Sequence, residues 1–399
     1  MRGKRVWIGV IVSACLLGTG ILTLTGAQTT ARGPIKIGVL YPVTGSSAVQ
    51  GMSEVNATKL FFDEKGNQVA GRKIQLFTED DEAKPDVGLT KTKKVIELDK
   101  VNVINGFQNT AQAYAIRDYL NQAGVPALIS PSGGGFTRKL FSLSIFRVSP
   151  ATYQYSYEPA KWVFKRGYKR AIWMGADFAA PRECFAGFKK GFEETGGKVV
   201  QDAWPPLGCN DYGPYISSLK TGEADILVLC MWGTDSIRIV NQLADYGVRG
   251  KLPIFGIASF SDEGVTIPPM GANAEGIMSA YVSCPSSPNP ENKKFVDEYR
   301  KRYNALPGHL AYLSYIASQA TYEAMDKIKG DVENREKFLD ALRKVNFTTP
   351  MGSKGYFDER QGMVYDLLML QIKKVGNEYH NVEIDRLKGV KDPVTLFPN

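Results

Sequence analysis

Two short polar stretches in the chain carry the residue types that hold a carboxylate. Gln108-Asn109-Thr110 closes the apolar run 101–107, and Ser132-Gly133-Gly134-Gly135 follows the apolar run 125–130. Side-chain hydroxyls and glycine backbone amides are groups that bind an anion without a metal. Between the two stretches Ala113, Ile116 and Leu120 recur at i, i+3 and i+7, which predicts a helix that buries one stripe and keeps Arg117, Asp118 and Asn121 wet. A strand–helix–strand unit in a parallel sheet puts both polar stretches at one carboxyl edge, where open α/β sheets bind ligands. Phosphate is the competing anion, but no Lys-Ser or Lys-Thr follows the glycines. Helix capping and a simple turn are the plain structural uses of the same residues.

Further candidates stand after apolar runs in the second half of the chain: Asp177-Phe178, Trp232, and Ala258-Ser259. A tryptophan there is either packing or the apolar wall of a cleft. Asp80 and Asp81 could be imagined as paired acids, but adjacent residues at a strand end point to opposite sides, so loop hydrogen bonding is the expected use. The chain has no GxSxG, GxxxxGK[ST], HExxH or GxGxxG after a first strand, which removes the enzyme families built on them. His309 and His380 are the only histidines and no CxxC occurs, so neither a zinc site nor any other cofactor is expected.

The chain has 399 residues and a net charge of +8. Arg2, Lys4 and Arg5 precede an apolar run, 6–24, and small residues close it, which is the layout of a secretory leader cut after Ala27. A retained membrane anchor and lipid attachment at Cys15 are the rival readings. Loss of the leader would leave +5 without a basic block, so nucleic acid is not an expected partner. Cys184, Cys209, Cys230 and Cys284 would remain, and an even count in an exported chain favours disulfides, with three pairings open.

From residue 35 onward apolar runs alternate with helical stripes, predicting strands at 35–41, 72–77, 101–107 and 125–130. After 146–150 the alternation restarts, with strands at 170–175, 198–204, 226–230, 253–258 and 276–282. Two α/β units thus lie in tandem. The helical stretch 288–345 and the last apolar run, 365–372, are too little for a third core. The economical arrangement packs the late helices on the first unit and the last strand on the second.

Ile35-Lys36-Ile37-Gly38-Val39 with Thr44-Gly45, Asp80-Asp81 before Pro85, 101–110, the PALISP of 126–131, Asp177-Phe178 with Arg182-Glu183, Asp211-Tyr212 with Pro214-Tyr215-Ile216, and Phe347, Pro350, Gly352 and Phe357-Asp358 come in an order that resembles the leucine/isoleucine/valine-binding proteins. These are exported solute receptors of ABC importers. The resemblance implies a type I periplasmic binding fold, α/β, with two doubly wound parallel-sheet lobes joined by a three-segment hinge. Its lobes would be 34–149 plus 283–352 and 150–282 plus 353–399. It also implies no catalysis, a periplasmic monomer, a small-molecule carboxylate ligand and the membrane permease as partner.

Carried over by position, the family's carboxylate loops fall on Gln108, Asn109, Thr110, Ser132, Gly133 and Gly134, its closing aromatic on Trp232, another wall on Phe178 and a flanking residue on Gln50. Two positions depart from the pattern. The acid that pairs with an amino acid's ammonium would follow Gly256, where this chain has Ala258 and Ser259, and the aromatic expected near Ala180 is missing. An unpaired buried ammonium costs several kcal/mol, on the order of a broken buried ion pair. An aromatic or other hydrophobic acid therefore fits better than a branched-chain amino acid, unless Asp235 or Asp262 supplies the counter-charge. A ligand sensor of the same fold and an α/β enzyme are the alternative classes.

Overall fold

The structure is a computed structural model that describes residues 1, 3–4 and 32–398. Apart from residues 1, 3 and 4, the expected leader and Cys15 lie outside the described residues. Pro34–Asn399 form one compact unit that holds both sheets.

The first sheet has β1 (Ile35–Tyr41), β2 (Gln68–Val69), β3 (Arg72–Asp80), β4 (Val103–Gly106), β5 (Ala127–Ile129) and β6 (Ile145–Arg147) in the order β2-β3-β1-β4-β5-β6. Every pairing is parallel except that of the short β2 with β3. Both faces are covered at the central strands, so β1, β4 and β5 are mostly apolar and buried, whereas β3, RKIQLFTED, alternates buried with exposed residues. Ile37, Val39, Val103 and Leu128 pack with the helices Ala48–Glu64 and His309–Lys327, whereas Leu40, Ile104, Ala127 and Ile129 meet Val95, Ile116 and Leu120.

The second sheet contains β7 (Arg170–Gly175), β8 (Lys198–Ala203), β9 (Ile226–Cys230), β10 (Ile254–Gly256) and β11 (Met278–Tyr281), all parallel where they pair. Four later strands complete it antiparallel: β12 (Asn346–Thr348), β13 (Lys354–Phe357), β14 (Met363–Val375) and β15 (Glu378–Val390). The expected final strand is β14, inserted beside β11, and the sequence reading missed β15 altogether.

The late helices pack on the first sheet as expected, and buried polar contacts specify how. Asn105 on β4 is fully buried, donates to the Ser318 hydroxyl at 3.2 Å and accepts from that of Thr321 at 3.0 Å. One turn earlier Ser314 donates to the Tyr41 hydroxyl at 2.8 Å. Each partner would be a costly unsatisfied group alone, so these contacts fix the register of helix His309–Lys327 against β1 and β4. The chain therefore passes from the first sheet to the second after β6, returns after β11, and crosses again to reach β12.

Candidate functional site

The carboxyl edges of both sheets line one cavity of about 190 Å³. From the first sheet come Gln108 and Thr110 after β4 and Ser130, Pro131, Ser132 and Gly133 after β5. From the second come Phe178 after β7, Trp232 after β9, Ala258 and Ser259 after β10, and Tyr281 at the end of β11. Thr152, Tyr155, Ala180, His309 and Leu310 complete the wall. Phe178 and Trp232 lie with ring centroids 5.7 Å apart.

The two polar loops are pressed together. A Cβ on Gly133 would sit 2.5 Å from the Thr110 methyl and 2.7 Å from the Tyr114 hydroxyl, so only glycine allows this approach. Two αL residues without glycine's freedom sit at the strand ends, Phe107 with φ 64° and Ala258 with φ 57°. Such strain persists where the surrounding packing over-determines it, and it clusters at ligand sites.

Backbone geometry aims the donors of the second loop. The Ser132 carbonyl accepts from the Thr152 amide at 3.1 Å, and the Gly133 carbonyl accepts from Arg147 Nη1 at 3.1 Å. In a planar trans peptide the next N–H points the opposite way, so the Gly133 and Gly134 amides turn from those partners. The amides of Thr110, Ser132, Gly133 and Gly134 have no acceptor among the described residues. They are donors in need of a partner.

Behind this loop lies a buried charged brace. Asp392, from the segment after β15, accepts from Arg138 at 2.9 and 3.0 Å, from Arg147 at 3.1 Å and from the Thr137 hydroxyl at 2.6 Å. All three ionic side chains are at most 1 % exposed. Burial would raise the Asp392 pKa, but the two guanidiniums outweigh it and hold the carboxyl below its ordinary range. Arg138 also donates to the Gly134 carbonyl at 2.8 Å. Two guanidiniums thus meet one anion in the brace, while Glu183, which accepts from the Thr152 hydroxyl at 2.5 Å, brings a second carboxylate to the same side of Gly134.

No acidic side chain lines the cavity among the described residues. Glu54 is fully buried behind Ser130, whose hydroxyl donates to it at 2.9 Å, and burial pushes its pKa well up. Asp235 is turned away, accepting from the Gly208 amide at 2.8 Å. Asp262 borders a neighbouring groove and is held by the Gly264 amide at 2.8 Å and the His309 amide at 2.9 Å.

The family model described as periplasmic binding protein matches residues 34–377. The chain belongs to the periplasmic binding proteins. Leu/Ile/Val-binding protein homolog 6 of Brucella melitensis is 25 % identical over 371 residues, covering 90 % of this chain and 93 % of the relative. Among solved structures, an ABC transporter substrate-binding protein from Sphaerobacter thermophilus is 33 % identical with a TM-score of 0.86, covering 90 % of this chain and 99 % of the other. A solute-binding protein of an ABC transporter from Rhodopseudomonas palustris BisB5, solved in complex with 3,4-dihydroxybenzoic acid, is 28 % identical with a TM-score of 0.83, covering 91 % and 99 %. These relatives are solute-binding proteins of transporters, and no helix among the described residues is long and apolar enough to cross a membrane.

In this periplasmic binding protein Gln108, Thr110, Ser132, Gly133, Phe178, Trp232 and Ser259 share the cavity. Gln50 reaches it indirectly, accepting from Gln108 Nε2 at 3.2 Å, and lines the adjoining groove. Asn109 is spent locally: its exposed side chain caps the helix Thr110–Ala123 by accepting from the Ala111 and Gln112 amides at 2.8 and 3.2 Å. Gly134 faces the brace, since a Cβ there would meet Tyr153 and Arg138. Asp80 closes the loop after β1, accepting from the Val43 amide at 3.0 Å and the Thr44 hydroxyl at 2.5 Å. The disulfide expectation is corrected: Cys184, Cys209, Cys230 and Cys284 are all free. Cys184 and Cys230 are neighbouring buried thiols, Cys284 is buried beside Glu263 and Ser286, and Cys209 stands in a half-buried loop.

Sequence reasoning missed Ser130, Thr152, Tyr155, Tyr281 and His309. Ser130 and Tyr281 were within reach of a strand-end rule, since each ends or follows a predicted strand. Tyr155 and His309 sit on helices whose approach to the cavity depends on the tertiary packing alone.

Proposed function

We propose that this protein is the periplasmic receptor of an ABC importer, without catalytic activity, that captures a small aromatic or otherwise hydrophobic carboxylate between its lobes. The lobes in this reading are 34–149 with 283–352 and 150–282 with 353–399, and the closed monomer is what the permease recognises. Hinge closure follows because a ligand gains contacts to both lobes only when they approach. Export by cleavage after Ala27 belongs to the same reading.

The observation that carries the ligand class is the unequal lining of the cavity. Unpartnered amides at Thr110, Ser132 and Gly133, on a loop braced by the Arg138 and Arg147 guanidiniums, suit a carboxylate. Phe178, Trp232, Tyr155 and Tyr281 suit an apolar or aromatic body. No lining carboxylate answers an ammonium, which disfavours an amino acid. The dihydroxybenzoate held by the Rhodopseudomonas palustris relative supports this choice. A thermal-shift panel of benzoate, phenylacetate, leucine and phenylalanine, on protein refolded to remove carried-over ligand, tests it. Stabilisation by the amino acids alone would overturn it, and intact uptake in a deletion strain would move the role from transport to sensing.

A further inference from the structure

We infer that His309 selects the far polar group of the ligand, so that the preferred ligand is a hydroxylated aryl carboxylate rather than an unsubstituted one; this rests on the aromatic-acid reading above. His309 begins the helix packed on the first sheet, lines the 190 Å³ cavity and also borders the adjoining groove of about 440 Å³. Its Nδ1 is bonded to Asp262, which follows β10 of the second sheet. The Asp262 side chain is 3 % exposed and accepts two backbone amides besides the ring. Its carboxylate is thus an acceptor only, and Nδ1 must carry the proton in that bond.

The ring is therefore fixed in tautomer and orientation. In the neutral imidazole the remaining nitrogen, Nε2, is an acceptor. Nε2 has no hydrogen bond to the described residues. Tyr281, also in the lining, packs edge-on against the ring with centroids 5.3 Å apart. A site built around a partly buried, oriented acceptor discriminates against a ligand that cannot donate to it. A phenolic hydroxyl supplies that donor on a flat body that Phe178 and Trp232 can enclose. Asp262 acts only through the ring, as a positioning residue.

The experiment is calorimetric titration, at pH 8, of benzoate, the three hydroxybenzoate isomers and their methyl ethers. One isomer is expected to bind roughly tenfold tighter than benzoate, with the gain absent from its methyl ether and abolished in His309→Leu. Benzoate, which carries no hydroxyl, gauges what His309→Leu costs through packing alone, so the quantity read is the ratio of hydroxybenzoate to benzoate affinity in each protein. If benzoate and every hydroxybenzoate bind equally, or the preference survives His309→Leu, the assignment to His309 is wrong while the aromatic-acid reading stands. If no aromatic acid binds, both fall.

A second readout leaves His309 in place. The chain has two histidines, so His380→Gln assigns the ring nitrogens by ¹⁵N spectroscopy. The His309 Nε2 signal should move with the preferred hydroxybenzoate and not with benzoate, and Asp262→Asn should mix the tautomers. An Nε2 signal indifferent to the hydroxyl, or a tautomer unchanged by Asp262→Asn, would refute the arrangement.

Discussion

Removing Asp392 should damage this protein more than its place seven residues from the C-terminus suggests. Its carboxylate is the counter-ion of Arg138 and Arg147, and all three side chains are buried. In Asp392→Ala two guanidiniums stay out of water with no anion in contact. Breaking a buried ion pair by deleting one partner costs about 3–5 kcal/mol, against a total stability of roughly 5–15 kcal/mol for a folded domain. Urea unfolding at pH 7 would read the loss as a fall in midpoint. Arg147→Met added to Asp392→Ala should recover part of it, because one uncompensated charge is removed. The two substitutions should thus couple by about 1–3 kcal/mol rather than add.

The pH dependence carries the same signature. Asp392 has a depressed pKa in the folded state, so its contribution is complete above the unfolded carboxyl value near 3.9 and disappears as pH falls through the folded value. The parent should lose stability along that acid limb, and Asp392→Ala should lose less. A variant that melts within about 0.5 kcal/mol of the parent at pH 7, the range of ordinary surface changes, would refute the brace.

Asp81 provides the opposite pH test. It is buried, has one oxygen without a partner, and burial raises its pKa to about 6. Folding therefore favours the protonated form, and the group destabilises the protein as pH rises from the unfolded value near 3.9 through the folded one. Asp81→Asn should raise stability by about 2 kcal/mol at pH 7 and change little at pH 4, measured by urea melts at both. Gly133→Ala should weaken carboxylate binding at least tenfold in calorimetry, because the Thr110 methyl stands 2.5 Å from the new carbon and the two loops must part. Trp232→Ala should raise the dissociation constant of an aromatic acid by a further ten- to hundredfold through lost apolar contact; unchanged affinity would remove it from the site. Thiol titration of the native protein should label Cys209 first and Cys184, Cys230 and Cys284 only after denaturation, since these three are buried.

Local pattern was enough to place most of the framework. Ile35–Tyr41, Arg170–Gly175 and Ile226–Cys230 are strands at the residues expected, because a strand covered on both faces must be largely apolar. The helix Thr110–Ala123 was legible from its stripe and its polar start. β15 was not, because its sequence mixes Glu383, Asp385, Arg386 and Lys388 with few apolar residues. Its extended form is imposed by pairing with β14 over its length.

By itself the sequence determined the alternation of strands and helices and thus the sheet edges where polar loops collect. It also named the two loops at 108–110 and 132–134, because chain direction alone puts them at carboxyl ends. Tertiary structure decided which of those residues remain available. Asn109 is consumed as a cap and Gly134 lies outside the cavity lining, against the brace, while Thr110, Ser132 and Gly133 line the cavity with their amides free. It also brought Asp392 behind the loop and His309 into its cavity, across more than 240 and 170 residues of chain respectively. No local pattern encodes such a meeting, because the energies that fix it, burial of paired charge and exclusion of water, exist only once both segments have packed.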